Sequence, residues 1–274
     1  MTEKGVFEPG LYPGLPMAEY LAMPALSASI LRRVVMECPR AAWHASWLNP
    51  NPPTRDDTAA SDAGSIAHGI LLEGSTDSVV VIDPNDHPAE KTGAIPKGWT
   101  NKSIRIARDA AREAGKIPVL KDDMQTIENM VDSAWEYIEL CKSEEPAIWD
   151  VFQEGRGESE MTVVWQDGPT LCRIRPDRMS RDRKVIVDVK TTLRSAEPAR
   201  WARTQLEGMG YYIGAAWYRR GVEASCGVSP SYSFLVMEQE PPHLCSLVGM
   251  SQAHFDVGGM RIISALHQWQ ACVA

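Results

Sequence analysis

The sequence predicts an α/β domain with a helical N-terminal part, and three observations support this class. Amphipathic helical patterns occupy most of the N-terminal half of the chain. Three strand-like runs then follow one another closely in the middle of the sequence. A long helical pattern, two more strand-like runs and a closing amphipathic helix complete the chain, and no internal repeat is present.

The N-terminal region is rich in Pro and Gly, and we expect residues 1–24 to form an irregular arm before a single domain over 25–274. Ser27 or Ser29 can cap a helix that begins just after it. Pro39 lacks an N–H group, so it must break or kink that helix.

A second helix is predicted between an N-terminal cap at Ser61 or Asp62 and Gly74, which can adopt the left-handed conformation that ends helices. The elements that follow it are a strand, a loop-rich insert and two helices, at 79–82, 83–100, 101–115 and 121–142.

The C-terminal half contains a predicted three-strand meander, a long helix, two strands and a final helix. Their ranges are 159–166, 170–176, 184–190, 197–219, 231–238, 243–249 and 251–271. Within the third run, VIVDVK, alternation places Asp188 and Lys190 on one face of the strand and Val187 and Val189 on the other.

The composition, 44% apolar and 23% charged over 274 residues, is that of a globular chain with a sizeable core. No stretch approaches the ~20 apolar residues that span a bilayer, and the N-terminus lacks the features of a signal peptide. We therefore expect a cytoplasmic protein with no membrane partner. The six cysteines show no CxxC spacing, which argues against a zinc ribbon, an iron–sulfur cluster or a disulfide framework.

The net charge of −8 argues at first against a nucleic-acid partner, but its distribution is uneven. Between Arg173 and Arg203 there are ten basic residues and four acids. A local basic field around carboxylates fits a polyanionic substrate. The alternative is a mixed, solvated surface.

The most informative residues are Asp177, Asp188 and Lys190. If the strands that carry the two acids pair as neighbours, both carboxylates can hold one hard cation while Lys190 reaches the water beside it. That is the minimal apparatus for metal-assisted hydrolysis of a phosphodiester. A second acid–lysine triplet, Asp182–Lys184, lies in a polar turn and is better explained as a solvated loop.

Two further residues could join this site. His68 lies four residues after Gly64 on the predicted helix, so the two share a face and Gly64 can clear space above the imidazole. Glu160 begins the first strand of the meander and could present a third carboxylate toward Asp177 and Asp188. The alternatives are a core or surface histidine and a strand-end acid beside Glu158.

Five segments together resemble the PD-(D/E)xK nuclease superfamily, and within it the exonuclease VIII (RecE)-like phage exodeoxyribonucleases. In chain order they are ALSASILRRVVMECPRAAW, GSIAHGILLEG, GESEMTVVW, CRIRPDRM and VIVDVKTT. The resemblance covers roughly residues 25–220. It implies a restriction-endonuclease-like core, in which a central mixed sheet is flanked by helices.

The resemblance also implies a metal site and a lysine for catalysis. His68, Asp177 and Asp188 match the family's metal ligands, with the carbonyl of Val189 as a main-chain ligand, and Lys190 matches its catalytic lysine. Mg²⁺ is the expected cofactor, and Mn²⁺ is possible with this mixture of imidazole and oxygen donors.

The implied activity is 5′→3′, processive degradation of linear double-stranded DNA in phage-type homologous recombination. The implied partners are further copies of the chain in a ring and a recombinase that anneals the exposed single strand. The residues expected to hold DNA phosphates without reading sequence are Arg173, Arg175, Arg178, Thr191 and Arg194.

One feature departs from the family. Its helix after the lysine carries a Gln-x-x-x-Tyr pair, whereas the matching spacing here reads Gly214 and Tyr218. Tyr211 and Tyr212 are candidates to replace the glutamine. The departure leaves open a nuclease-fold DNA-binding protein with weak or no catalysis. A sequence-specific endonuclease of the same superfamily is a second, separate alternative.

Overall fold

The structure is a computed structural model that describes residues 7–53 and 58–273. The first half of the chain is mainly helical and contains four short strands. Its elements are β1 (Gly10–Tyr12), α1 (Met17–Ala22), β2 (Leu26–Ser27), α2 (Ala28–Met36), α3 (Pro39–His44), α4 (Ala59–Glu73), β3 (Val79–Ile82), α5 (Lys102–Glu113), β4 (Ile117–Leu120), α6 (Lys121–Glu144) and α7 (Pro146–Phe152).

The second half supplies most of the sheet strands. Its elements are β5 (Gly157–Ser159), β6 (Thr162–Asp167), β7 (Thr170–Ile174), β8 (Arg178–Ser180), β9 (Val185–Thr192), α8 (Pro198–Trp201), α9 (Tyr211–Cys226), β10 (Ser231–Glu238), β11 (Cys245–Gly249) and α10 (Gln252–Val273). No helix in the described ranges is long and apolar enough to cross a bilayer.

A five-stranded mixed sheet forms the centre of the protein, in the order β11–β10–β9–β8–β5. Strands β9 and β10 are parallel, and the other pairs are antiparallel. On one face, Val187 and Val189 pack in a cluster with α4, α6 and α7. On the other, Ile186 packs with α9 and α10. Burial on both faces explains the apolar, β-branched run in β9 and confirms the expected mixed sheet flanked by helices.

The predicted meander is wrong, because its strands are divided between two sheets. Strands β6 and β7 pair with each other in a separate four-stranded sheet, in the order β1–β6–β7–β2. Strand β9 instead pairs with β8 and β10. The chain crosses from one sheet to the other at Glu160, and it crosses back at Asp177. Strands commonly change sheets at such bends.

The caps of the early helices agree with the sequence in part. Gly74 ends α4 with φ 63°, as predicted, and α3 begins at Pro39. The N-terminal cap of α4 is Thr58, whose hydroxyl accepts from the Ser61 backbone N–H at 3.1 Å, and not Ser61 or Asp62.

The single helix predicted over 197–219 is also wrong. Helix α8 continues into a π-helical turn over Ala202–Glu207, and α9 begins only after Gly210, which has φ 69°. A side chain at Gly208 would lie 2.5 Å from the carbonyl oxygen of Thr204. The two glycines permit a tight break that an uninterrupted helical pattern does not reveal.

Regular structure also occurs in the region expected to be an irregular arm. Strand β1 pairs antiparallel with β6, with Leu11 opposite Val163. Helix α1 follows it and ends before Met23, which is fully buried. The predicted strand at 79–82 is present as β3, where it pairs with β4 in a small separate sheet.

Candidate active site

The end of β9 places Asp188 and Lys190 side by side on one face of the central sheet. The Lys190 ammonium forms an ion pair with Asp188 Oδ1 and donates to the Val189 carbonyl at 3.3 Å. The other carboxylate oxygen accepts a 2.6 Å hydrogen bond from the hydroxyl of Tyr232 on β10. Both oxygens of Asp188 therefore have partners, as a largely buried charge requires.

The two bends between the sheets bring Glu160 and Asp177 together. Glu160 has φ 54°, a conformation that costs a non-glycine residue on the order of 1–2 kcal/mol. Its backbone N–H donates to the Asp177 carbonyl at 3.2 Å, so the two crossings lie against each other. Asp177 Oδ2 accepts from the backbone N–H of Val189 at 2.8 Å, which places this carboxylate beside the end of β9.

Helix α4 supplies the imidazole. Its apolar side chains Ile66, Ala67 and Leu71 are buried in the same cluster as one face of β9, which turns His68 toward the bends. The His68 Nε2 lies 3.3 Å from Asp177 Oδ1 and 3.4 Å from Glu160 Oε1.

The three side chains His68, Glu160 and Asp177 can each offer one ligand atom, and these atoms all lie within 4.8 Å of one another. Adjacent ligands of an octahedral Mg²⁺ are about 3 Å apart, since each lies about 2.1 Å from the ion. The separations of 3.3 and 3.4 Å are close to that value. One imidazole with hard carboxylate oxygens suits Mg²⁺ or Mn²⁺, so the residues present fit the implied cofactor.

The charges of this cluster shift the pKa values of His68 and Asp177. Burial by itself lowers the pKa of His68, but its hydrogen bond to Asp177 and the negative charges of Asp177 and Glu160 outweigh it, and the pKa is raised. Burial opposes ionisation of Asp177, yet the Lys190 charge and the His68 hydrogen bond hold its pKa at about 2. The imidazole and this carboxylate therefore stabilise each other's charged forms.

Burial and neighbouring charges also oppose each other in setting the pKa values of Lys190 and Asp188. Burial lowers the pKa of Lys190, but the negative charges of Asp188 and Asp177 prevail and the pKa is raised. For Asp188, burial is the largest effect and raises the pKa, with Asp177 adding to it and Lys190 and Tyr232 opposing it. Lys190 is thus a charged donor in this arrangement.

Helix α9 forms the opposite wall of a pocket of about 290 Å³ that contains Asp188 and Lys190. The Tyr211 ring lies 5.9 Å from the Lys190 ammonium, and Gly214 faces open space where the family's glutamine is expected. Tyr212, the other candidate to replace that glutamine, is buried elsewhere, with its ring 6.4 Å from that of His254. Of the two tyrosines, Tyr211 is the one at the site.

Three of the arginines predicted to bind DNA are bound to the protein itself. Arg173 is 5% exposed and donates to the carbonyls of Tyr20, Leu21 and Met23 at the end of α1. The prediction of a phosphate contact for Arg173 is therefore corrected, because its guanidinium does not face solvent.

The other two arginines are similarly occupied. Arg175 forms an ion pair with Glu160 and donates to the Leu15 carbonyl at 2.6 Å. Arg178 donates to the Val151 carbonyl at 2.8 Å and to the Ser159 hydroxyl at 2.9 Å. Many of the basic side chains that suggested a DNA-binding surface thus donate hydrogen bonds to carbonyl and carboxylate groups within the protein. Arg194, by contrast, is exposed after β9.

Gly64 has a different role from the one expected. A Cβ at this position would lie 2.8 Å from Thr191 Oγ1, so Gly64 permits α4 to approach β9 and does not clear space for the imidazole. The Thr191 hydroxyl also accepts from Gln239 at 2.9 Å. This contact between α4 and β9 sets the distance from His68 to the other site residues.

Apart from Tyr218, which matches the family's tyrosine in the sequence, the next residues of the site had not been predicted. Tyr232 binds Asp188, Tyr218 donates to the Arg175 carbonyl at 3.2 Å, and the Arg32 guanidinium lies 5.2 Å from the Tyr211 ring. Tyr20 of α1 also lines the pocket. The only sequence signal for Tyr232 is a phenol within an apolar strand. Only the pairing of β10 with β9 brings it to a position diagonal to Asp188.

Comparisons with known proteins agree with this fold. Residues 27–274 match the model of a family described as a PDDEXK-like domain of unknown function (DUF3799). No curated protein matches the chain. Among solved structures, the fold is similar to that of a "Putative exonuclease" from Eubacterium rectale, with a TM-score of 0.59 and 13% identity. The likeness covers 94% of this chain and 87% of that one. The chain therefore belongs to the family of PDDEXK-like domains, as its mixed sheet and the acidic end of β9 had indicated.

Proposed function

We propose that this protein is a divalent-metal-dependent exodeoxyribonuclease that degrades linear double-stranded DNA. The observation that carries the proposal is the cluster of His68, Glu160 and Asp177 beside the Asp188–Lys190 pair. A set of metal ligands next to a charged lysine is the combination that phosphodiester hydrolysis needs. The negative charge of the transition state must be stabilised and the attacking water must be oriented. Membership of the PDDEXK-like family supports the same activity.

In this proposal His68, Glu160 and Asp177 hold one Mg²⁺ or Mn²⁺ ion. Asp188 and the Val189 carbonyl, both predicted ligands, are the remaining oxygen donors on the β9 side. When bound, the ion supplies Lewis-acid polarisation of the scissile phosphate and stabilises charge on the leaving oxygen. Arg175 holds Glu160 toward the cluster through their ion pair.

Lys190 orients the attacking water, and Asp188 keeps the lysine in place. The ammonium is anchored by Asp188 and by the Val189 carbonyl at 3.3 Å, so its position is well defined. Its raised pKa favours a donor role over that of a general base. Tyr232 fixes the other oxygen of Asp188 and completes this unit.

The DNA backbone is expected to contact residues at the pocket and after the end of β9. Arg194 and Thr191 follow Lys190 on β9 and its loop, and Arg32 lies at the pocket on α2. We infer phosphate contacts for these three residues. Thr191 and Arg194 are kept from the sequence prediction, Arg32 is added, and Arg173, Arg175 and Arg178 are left out.

The finer features rest on the resemblance to RecE-like phage exonucleases. We propose 5′→3′ processive digestion, a ring-shaped homo-oligomer, and a single-strand annealing recombinase as partner in phage-type recombination. We also propose that the protein acts in the cytoplasm, because its six cysteines are all free thiols.

The test compares linear duplex with covalently closed circular DNA, with and without Mg²⁺, for wild type and Lys190→Ala. The proposal expects Mg²⁺-dependent digestion of linear DNA only, reduced at least a hundredfold in the variant. Cleavage of the circles would identify an endonuclease. Full activity of Lys190→Ala would disprove the role of the lysine.

One observation favours a second function, a nuclease-fold DNA-binding protein with weak or no catalysis. Gly214 leaves open space where the family's glutamine side chain would orient the lysine or the phosphate. DNA binding without digestion of linear duplex, in either Mg²⁺ or Mn²⁺, would support this alternative. Digestion that is lost in Asp188→Ala would exclude it.

A further inference from the structure

Helix α1 contributes a side chain to the active-site pocket although it lies outside the family match, which begins at residue 27. Tyr20 lines the same pocket as Asp188, Lys190 and Tyr218. Its hydroxyl forms no hydrogen bond to any of the residues that the structure describes. The pocket is thus formed by the nuclease core together with a helix that precedes the matched region.

The protein holds α1 firmly at this place. Arg173 donates to three carbonyls at the end of the helix, at 2.9 Å for Met23 and 3.4 Å for Leu21. The guanidinium carbons of Arg173 and Arg175 lie 4.5 and 5.6 Å from the centre of the Tyr20 ring. Two arginines of β7 and its end therefore fix the ring through cation–π contacts and backbone hydrogen bonds.

One face of α1 is apolar, although Glu19 is exposed on another side of the helix. Met17, Tyr20 and Leu21 are spaced by three and four residues, so they share one face of the helix. Met17 is 48% exposed and Leu21 is 62% exposed. Tyr20 thus lies in the pocket, and the two exposed side chains beside it on the same helix face continue its apolar surface toward solvent.

We propose that this face, Met17–Tyr20–Leu21, binds a nucleobase of the DNA strand next to the cleaved phosphate. The inference rests on the proposed nuclease function, because that function places the sugar–phosphate chain of the DNA beside the metal ligands and Lys190. A base attached to that chain must then lie against the adjacent wall. Because every base has an apolar π-face, an aromatic and aliphatic wall binds it without regard to sequence.

The same face could instead bind a second copy of the chain, since exposed apolar side chains often mark protein interfaces. Continuity with the pocket favours the nucleobase. Tyr20 reaches the wall that contains Asp188 and Lys190, whereas a protein partner would need no contact at that depth.

The experiment measures kcat/KM on two linear duplexes whose terminal nucleotides on both strands are either intact or abasic. We expect Tyr20→Ala and Leu21→Ser to lower kcat/KM about tenfold on the intact duplex. On the abasic duplex, the same variants should match wild type, because the base that they contact is already missing. Tyr20→Phe should keep most of the activity.

The matched control is Leu140→Ser, which removes a leucine of 67% exposure from α6, a helix that does not line the pocket. It should leave both rates unchanged. Equal fractional losses on the two duplexes would show that α1 only supports the fold, and no loss on either would show that it does not contact DNA. Both results overturn the inference.

A second measurement does not depend on catalysis. A duplex with 2-aminopurine at its terminal position is titrated with protein in EDTA, where stacking on Tyr20 should quench the fluorescence. The quench should be lost in Tyr20→Ala and kept in Leu140→Ser. If Leu21→Ser dissociates an oligomer and leaves the quench intact, the face is a protein interface and the inference is wrong. Absence of digestion by wild type would reject the nuclease proposal alone.

Discussion

Tyr232 lies diagonally across from Asp188 on the parallel strands β9 and β10, where the direct partner of Asp188 is Phe234, and the phenol donates a 2.6 Å hydrogen bond to the carboxylate. Tyr232 is 3% exposed, and its ring packs 5.2 Å from that of Phe234 and 6.0 Å from that of Tyr218. Lys190 holds the other carboxylate oxygen. The carboxylate of Asp188 is thus held on one side by Lys190 of β9 and on the other by Tyr232 of β10.

Replacing Tyr232 by Phe should slow catalysis while the fold persists. The ring packing remains, but the lost hydrogen bond to a charged group is worth about 1.5–3 kcal/mol. We expect kcat to fall about ten- to a hundredfold with little change in KM, measured on linear duplex. The control is Tyr218→Phe, which removes only the hydrogen bond to the Arg175 carbonyl. An unchanged kcat in Tyr232→Phe would mean that Asp188 needs no such support.

Replacing Glu160 by Gln should weaken metal binding. Ligand binding to the folded state raises its stability according to the ligand concentration and Kd, so Mn²⁺ or Mg²⁺ should raise the Tm of wild type. The shift should be reduced by more than half in Glu160→Gln.

Glu158→Gln is the matched control for that measurement. Glu158 is two residues away on β5 and pairs with Arg183, not with the cluster. Its variant should show the wild-type shift of Tm. Equal shifts in both variants would remove Glu160 from the metal site.

Gly64→Ala should destabilise the protein and reduce activity. The new methyl would lie 2.8 Å from Thr191 Oγ1, and relief of such a contact between α4 and β9 costs about 1–3 kcal/mol. Urea unfolding would measure this loss. Thr191→Ala removes the clashing hydroxyl, so the double variant should recover most of the stability. If the changes in unfolding free energy of the two single variants simply add, the side chains at positions 64 and 191 do not contact each other.

Gly214→Ala should stabilise the protein, in contrast to Gly221→Ala in the same helix. A Cβ at Gly214 meets nothing within 4 Å, and Ala is favoured over Gly in a helix by about 0.5–1 kcal/mol. At Gly221 the Cβ would lie 2.6 Å from the Trp165 ring, so the same change should destabilise. Thermal unfolding of both variants checks the opposite signs. A loss of stability at Gly214 would contradict the open space in the pocket.

The cysteines should differ in reactivity toward a thiol reagent at pH 8. Cys38 and Cys272 are exposed and should react first. Burial, with the charge of Glu238 adding to it, raises the pKa of Cys245 to about 12, so this thiol is almost entirely protonated at pH 8. Mass spectrometry after short labelling identifies the modified residues. Rapid labelling of Cys245 would show that its surroundings are more open than the structure indicates.

Local sequence determined the elements whose cause lies within a few residues. The alternation in VIVDVK correctly predicted that Asp188 and Lys190 share a face, since the side-chain period of a strand is two. Gly74 ends α4 and Pro39 begins α3 because their backbone preferences act locally. The order of the motifs was enough to predict the family's mixed sheet.

The pairing of the strands could not be predicted in the same way. The sequence suggested that the strand before Asp177 lies beside β9, but β7 belongs to another sheet. Only the bend at Glu160, with its φ of 54°, shows how the chain crosses between the sheets. The basic field was misleading for a related reason, because the partners of Arg173 and Arg175 are carbonyls and a carboxylate from distant parts of the chain.

By itself, then, the sequence determined that Asp188 and Lys190 share one face of β9. The tertiary structure decided that Glu160 joins His68 and Asp177, that Tyr232 binds Asp188, and that Tyr20 of α1 lines the pocket. These contacts join residues far apart in the chain, at bends and between parallel strands. The local backbone preferences of the residues do not determine such long-range contacts, because these depend on how whole sheets and helices pack.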